Sequence, residues 1–66
     1  MPLVQVTLSA GRTPDQVRAL ISALTTAVTT SIGAPKEAVR VIVSEVPPTH
    51  WAAGDVTLAE RTPTDG

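Results

Sequence analysis

The stretch TPDQVRALISALTTAVTTSIG, Thr13–Gly33, decides the fold. Its opening carries the signals that start a helix: Thr13 as N-cap, Pro14 at the first helical position, Asp15 facing the positive end of the dipole, and Gln16 placed to complete a capping box with Thr13. Val17, Leu20, Ile21, Leu24, Val28 and Ile32 then recur along one stripe of a helix running to about Ile32, and Gly33 is the natural stop. Such a stripe needs a sheet to cover it. Upstream, Val4, Val6 and Leu8 alternate with Leu3, Gln5 and Thr7, which predicts a strand over Pro2–Leu8 with one apolar face and one mixed face. Downstream, Ala34–Ala38 reads as a short turn and Val39–Val46 as a second strand. Val39, Val41 and Val43 share one face of it, and Arg40, Ile42, Ser44 and Val46 the other. That near-continuous apolar run predicts cover on both sides.

Pro47-Pro48 ends the second strand, and Gly54-Asp55 marks a small hairpin within Thr49–Glu60. The fold class is therefore α/β (α+β): a β-α-β unit, whose right-handed crossover makes its strands parallel, followed by a C-terminal β-hairpin. Residues 1–61 are expected to form a single domain and 62–66 a frayed tail. A chain of 66 residues leaves a thin stability margin, and a two-stranded sheet is not independently stable. There is no cysteine to staple it, and His50 is the only histidine, so neither a disulfide nor a structural zinc site is available. Oligomerisation is the remaining way to complete the sheets.

Charge and hydropathy narrow the partners. The formal net charge is −1 and the five basic residues form no run, so a nucleic-acid surface lacks its electrostatic footprint. No apolar stretch approaches the roughly 18 residues of a membrane span, and the N-terminus lacks the basic and apolar regions of a signal peptide. The expectation is a cytoplasmic protein that engages neither nucleic acid nor membrane.

Four features stand in register along this framework: Pro2 directly after Met1, Gly11-Arg12 just past the first strand, Val39-Arg40-Val41-Ile42 opening the second, and Trp51 followed by a glycine-containing hairpin. Together they resemble the 4-oxalocrotonate tautomerase family over nearly the whole chain, from Pro2 to about Leu58. The resemblance implies short β-α-β chains assembled as a homohexamer, a trimer of dimers, with an amino-terminal proline as catalytic base and no cofactor. It implies that Arg12 binds a substrate carboxylate, that Arg40 arrives from a neighbouring subunit and polarises the oxygen at the keto/enol carbon, and that Trp51 forms the apolar wall where phenylalanine is usual. Ser9 departs from the bulky apolar residue expected at its position, Asp55 stands where glycine is common, and the tail lacks a basic ending. These departures bear on the substrate more than on proton transfer.

The residue types suit that chemistry. Keto–enol tautomerisation needs a base that is partly neutral near the working pH, and an α-amino group, with a reference pKa of about 7.7–8.0, is closer to this than lysine. Apolar surroundings and nearby guanidiniums both disfavour its ammonium form. Arginines hold a carboxylate or 2-oxo acid bidentately. The expected function is thus a cofactor-independent isomerase acting on a small 2-hydroxydienoate or 2-oxo-enoate carboxylic acid, with Pro2, Arg12 and Arg40 catalytic and Trp51 and Ser9 at the substrate. The alternatives are a hydratase, dehalogenase or decarboxylase in the same superfamily, which wants a further carboxylate, or a non-catalytic assembly subunit if Met1 is retained. Each residue has a plainer reading: Pro2 as an ordinary strand start, Arg12 as a solvated loop residue, Trp51 as core filler. Arg40 resists one, because it shares a strand face with Ile42 and a charge there needs an anion or a partner.

Overall fold

A computed structural model describes residues 1–61; the tail expected to fray, 62–66, lies outside the described residues. Strand β1 is Leu3–Ser9, helix α1 is Pro14–Ile32 and strand β2 is Arg40–Val46, with a 3-10 turn at Lys36–Ala38 leading into β2. The short strands β3, Ala52–Ala53, and β4, Val56–Thr57, form the hairpin, and further 3-10 turns at Pro48–His50 and Leu58–Glu60 flank it.

The helix begins as its first turn dictates. Thr13 Oγ1 accepts from the Gln16 amide at 3.1 Å, Gln16 Oε1 accepts from the Thr13 amide at 2.9 Å, and Pro14 occupies the first turn, where its missing N–H costs nothing. Gly33, in the left-handed region at φ 72°, closes the other end by donating to the Thr29 carbonyl at 3.1 Å. Crossing back under this helix, β2 lies parallel to β1 in a register that runs from Leu3 opposite Arg40 to Ser9 opposite Val46.

Val4, Val6, Leu8, Val41 and Val43 face the helix and are half-buried, whereas Leu3, Gln5, Thr7, Arg40, Ile42 and Ser44 lie exposed on the other face. Cover on both faces of β2 is thus not met within one chain, because the single helix can lie on only one of them. Val39, expected to open the strand, instead ends the 3-10 turn, and β2 starts one residue later. The apolar stripe of α1 also stops short: Val17, Leu20, Ile21, Leu24 and Val28 are half-buried, but Ile32 is 68% exposed. Nineteen residues of helix span about 28 Å and seven of strand about 23 Å, so the last turn overhangs the sheet.

In the hairpin, Gly54 and Asp55 both take positive φ, 58° and 68°, the conformation a two-residue type I′ connection demands. Aspartate tolerates it where a β-branched residue would not. The hairpin packs on the 3-10 turns beside it. The chain has a radius of gyration of 14.9 Å, against about 11 Å for a compact domain of this length. Among the described residues no side chain is fully buried. This fold has a covered face and an uncovered one, and no closed core of its own.

Candidate functional site

Pro2 enters β1 at the one place where proline suits a strand, its start. Its nitrogen has no hydrogen to offer the ladder, while its carbonyl accepts from the Arg40 amide at 2.9 Å. Pro2 is half-buried and Met1, ahead of it, is 87% exposed. While Met1 is attached, the Pro2 nitrogen is a tertiary amide without basicity; removal of that exposed residue leaves a secondary amine at the mouth of the sheet.

Arg40 therefore sits beside Pro2, on the uncovered face with Leu3 and Ile42. Its Nη1 donates to the Glu37 carbonyl at 2.7 Å and to the Val39 carbonyl at 3.4 Å. The plain requirement for an anion near so placed a charge is met here by carbonyl oxygens of the preceding turn, with donor capacity left over.

At the opposite end of the same two strands, Gly11 takes φ 129°, a conformation open to glycine, and turns the chain from β1 into Arg12. Arg12 is exposed, and its Nη1 lies 3.5 Å from the Ser9 carbonyl. Ser9 itself is half-buried and pairs in register with Val46. Trp51 follows the end of β2 by five residues. Its carbonyl accepts from the Leu58 amide at 2.9 Å, closing the hairpin, and the residue is 37% exposed. Among the described residues Trp51 fills no closed core.

The five expected site residues thus fall into two groups. Pro2 and Arg40 stand where the parallel strands begin; Ser9, Arg12 and Trp51 stand at or beyond where they end. The length of β1, about 23 Å, separates them. A small carboxylic acid spans less than half of that, so one chain cannot bring Pro2 and Arg12 to the same substrate.

Residues that the sequence did not mark as part of a site join Arg12, Glu45 among them. An open cleft of about 380 Å³ is lined by Arg12, Pro14, Val17, Arg18, Ile21 and Glu45. Glu45 reads as a solvated charge in sequence, yet it shares the parity of Val41 and Val43, the covered face of β2, and that parity was the available signal. Another signal was equally open: Thr57 and Glu60 form a capping box around the 3-10 turn Leu58–Glu60, the same spacing that starts α1. Among the described residues no group of three side chains comes together to hold a metal ion, and no helix is long and apolar enough to cross a membrane.

Comparison with known proteins agrees with the fold. The family model of tautomerase enzymes matches residues 2–61. A probable tautomerase of Ralstonia nicotianae is 49% identical over 98% of this chain and 96% of its own length. Among solved structures, TomN, a 4-oxalocrotonate tautomerase homologue of the tomaymycin biosynthetic pathway, superposes with a TM-score of 0.89 at 53% identity, covering 91% of this chain and 92% of its own. A heterohexamer 4-oxalocrotonate tautomerase from Chloroflexus aurantiacus superposes equally, TM-score 0.89 at 39% identity, over 94% of this chain and all of its own.

Proposed function

Because the chain belongs to the tautomerase family, we propose that it is a cofactor-independent keto–enol isomerase of small 2-hydroxydienoate or 2-oxo-enoate carboxylic acids, with Pro2 as its acid and base once Met1 has been removed. The observation that carries this reading is the junction of Pro2 with Arg40 at the start of the parallel ladder, 2.9 Å from carbonyl to amide. It holds Pro2 at the start of the ladder, half-buried and in phase with Val4, and leaves Arg40 exposed on the opposite face of the sheet, open to a neighbouring chain.

In the proposed reaction the neutral Pro2 nitrogen takes the proton of the 2-hydroxyl. The oxygen's electrons form the carbonyl, the double bonds shift along the chain, and the same proton returns from the pyrrolidinium to carbon. Negative charge develops on oxygen between these steps, and guanidiniums held in place stabilise it. Arg40, brought from a neighbouring chain, has donors to spare for that oxygen, and Arg12 binds the substrate carboxylate. Trp51 and Ser9 line the site, the first keeping it apolar around the amine and the second adding a hydroxyl that admits a more polar substrate.

Since Pro2 and Arg12 are too far apart within one chain, the reading requires neighbouring chains. A homohexamer, three dimers with their uncovered sheet faces turned inward, satisfies it; one structural relative is itself described as a heterohexamer. The setting proposed is the cytoplasm, and the small carboxylate is the partner, with neither nucleic acid nor membrane involved.

A second reading has one observation in its favour. A hydratase or related lyase needs a carboxylate to activate water, and Glu45 lines the cleft of Arg12. The two readings differ in the working form of Pro2, neutral for the isomerase and protonated for the hydratase. The pH–rate profile separates them: ketonisation of 2-hydroxymuconate should rise as pH rises through the titration of the Pro2 amine and then level. A rate that falls over the same range favours the hydratase and removes the base mechanism.

A further inference from the structure

A second cleft, about 320 Å³, runs along α1 on the side that faces Val39 and is lined by Arg18, Ile21, Ser22, Thr25, Thr26, Thr29, Lys36 and Val39. Two cations and four hydroxyls border it, without a carboxylate, on a chain whose formal net charge is −1. The hydroxyls divide into two pairs. Thr25 Oγ1 donates to the Ile21 carbonyl at 2.8 Å, and Thr29 Oγ1 donates to the Thr26 carbonyl at 2.9 Å, so both protons are committed to the helix. Ser22 and Thr26, one turn apart and exposed, make no side-chain hydrogen bond among the described residues. Ile21 and Val39 supply the apolar part of the wall.

We propose that this cleft binds a phosphate dianion carried on a small apolar body: Arg18 and Lys36 supply the charge, Ser22 and Thr26 donate to its oxygens, and Ile21 and Val39 receive the body. The volume lies at the small end of ligand pockets, which suits a compact monoester and not an extended polyanion. Guanidinium and ammonium groups with neutral hydroxyl donors are the set that phosphate recognition uses. Lys36 also stands just past the C-terminus of α1, where a cation favours the helix dipole. That role accounts for Lys36 but not for Arg18 or for the two uncommitted hydroxyls. Neither Pro2, Arg12 nor Arg40 borders this cleft; Arg18 and Ile21 also line the cleft of Arg12, so Lys36, which borders this cleft and not that one, distinguishes the two.

Titrating the assembled protein with phenyl phosphate and, separately, with inorganic phosphate at pH 8 and constant ionic strength tests it, read by amide chemical shifts. Phenyl phosphate should saturate, moving the Ser22, Thr26 and Val39 amides, and bind more tightly than inorganic phosphate because of its ring. Arg18→Gln and Lys36→Gln should each weaken it by about tenfold or more, whereas Arg18→Lys should restore part of the loss. Both positions are exposed, and far-UV circular dichroism confirms that each variant is folded. Shifts that grow linearly without saturating overturn the proposal. So does binding that survives both glutamine variants, or that is lost in Arg12→Gln or Arg40→Gln instead, which would place the anion in the isomerase site. Equal affinity for the two probes would remove the apolar half of the assignment.

Discussion

Protein in which the Pro2 nitrogen remains acylated by Met1 should ketonise 2-hydroxymuconate about 10²- to 10⁴-fold more slowly than protein from which Met1 has been removed, the size of a general base withdrawn from a transition state. An amide nitrogen has given its lone pair to the carbonyl and cannot accept a proton at neutral pH. The loss should appear in kcat more than in KM, because the arginines that hold the carboxylate are untouched. Pro2→Ala makes a milder companion. It keeps the carbonyl that accepts from Arg40, so β1 should still form, but it replaces a rigid secondary amine by a freer primary one. Absorbance at the dienol band gives the rate, and intact mass gives the state of Met1 in the same sample. Equal rates for the capped and uncapped chains would eliminate Pro2 as the catalyst.

Ile42→Asp should abolish the assembly and, with it, the fold. Ile42 is 48% exposed and Leu3 53% exposed on the uncovered face of the sheet, and among the described residues no side chain is fully buried in the isolated chain. Covering an isoleucine contributes about 1.5–3 kcal/mol, and placing a carboxylate in the same apolar contact costs further. Every copy in the assembly carries the substitution, so the deficits accumulate around it. Sedimentation should show loss of the oligomer and circular dichroism a parallel loss of helix. A monomer that keeps the native helical signal would show that the chain supports itself and that the uncovered face needs no partner.

Local chemistry made much of this fold legible. The capping box of Thr13 and Gln16, the left-handed Gly33 and the alternation through β1 each act over a few residues, and the structure forms them where the pattern puts them. What the pattern could not carry were lengths compared across elements. Ile32 repeats with the stripe, yet it is exposed because the helix outruns the strands; Val39 alternates with β2, yet it falls in the turn that precedes it. The fate of Trp51 was hidden for another reason. A lone tryptophan reads as core filler, whereas here it is 37% exposed beside a hairpin that gathers no closed core around it. Glu45 shows the reverse case: its parity was visible in the alternation of β2, but an exposed-charge reading masked its place in the Arg12 cleft.

The division of the site residues between the two ends of the sheet gives the account its sharpest test. Chains in which Met1 still acylates Pro2 and Arg12→Gln chains freed of Met1, each inactive in its own assembly, should be unfolded together in equal amounts and refolded as a mixture. If Pro2 and Arg12 come from different chains at every site, random assembly leaves both intact at about a quarter of sites, and about a quarter of the wild-type turnover should return. If one chain supplied both residues, every site would carry one lesion or the other. Mixed assemblies as inactive as their parents would contradict a site built between chains.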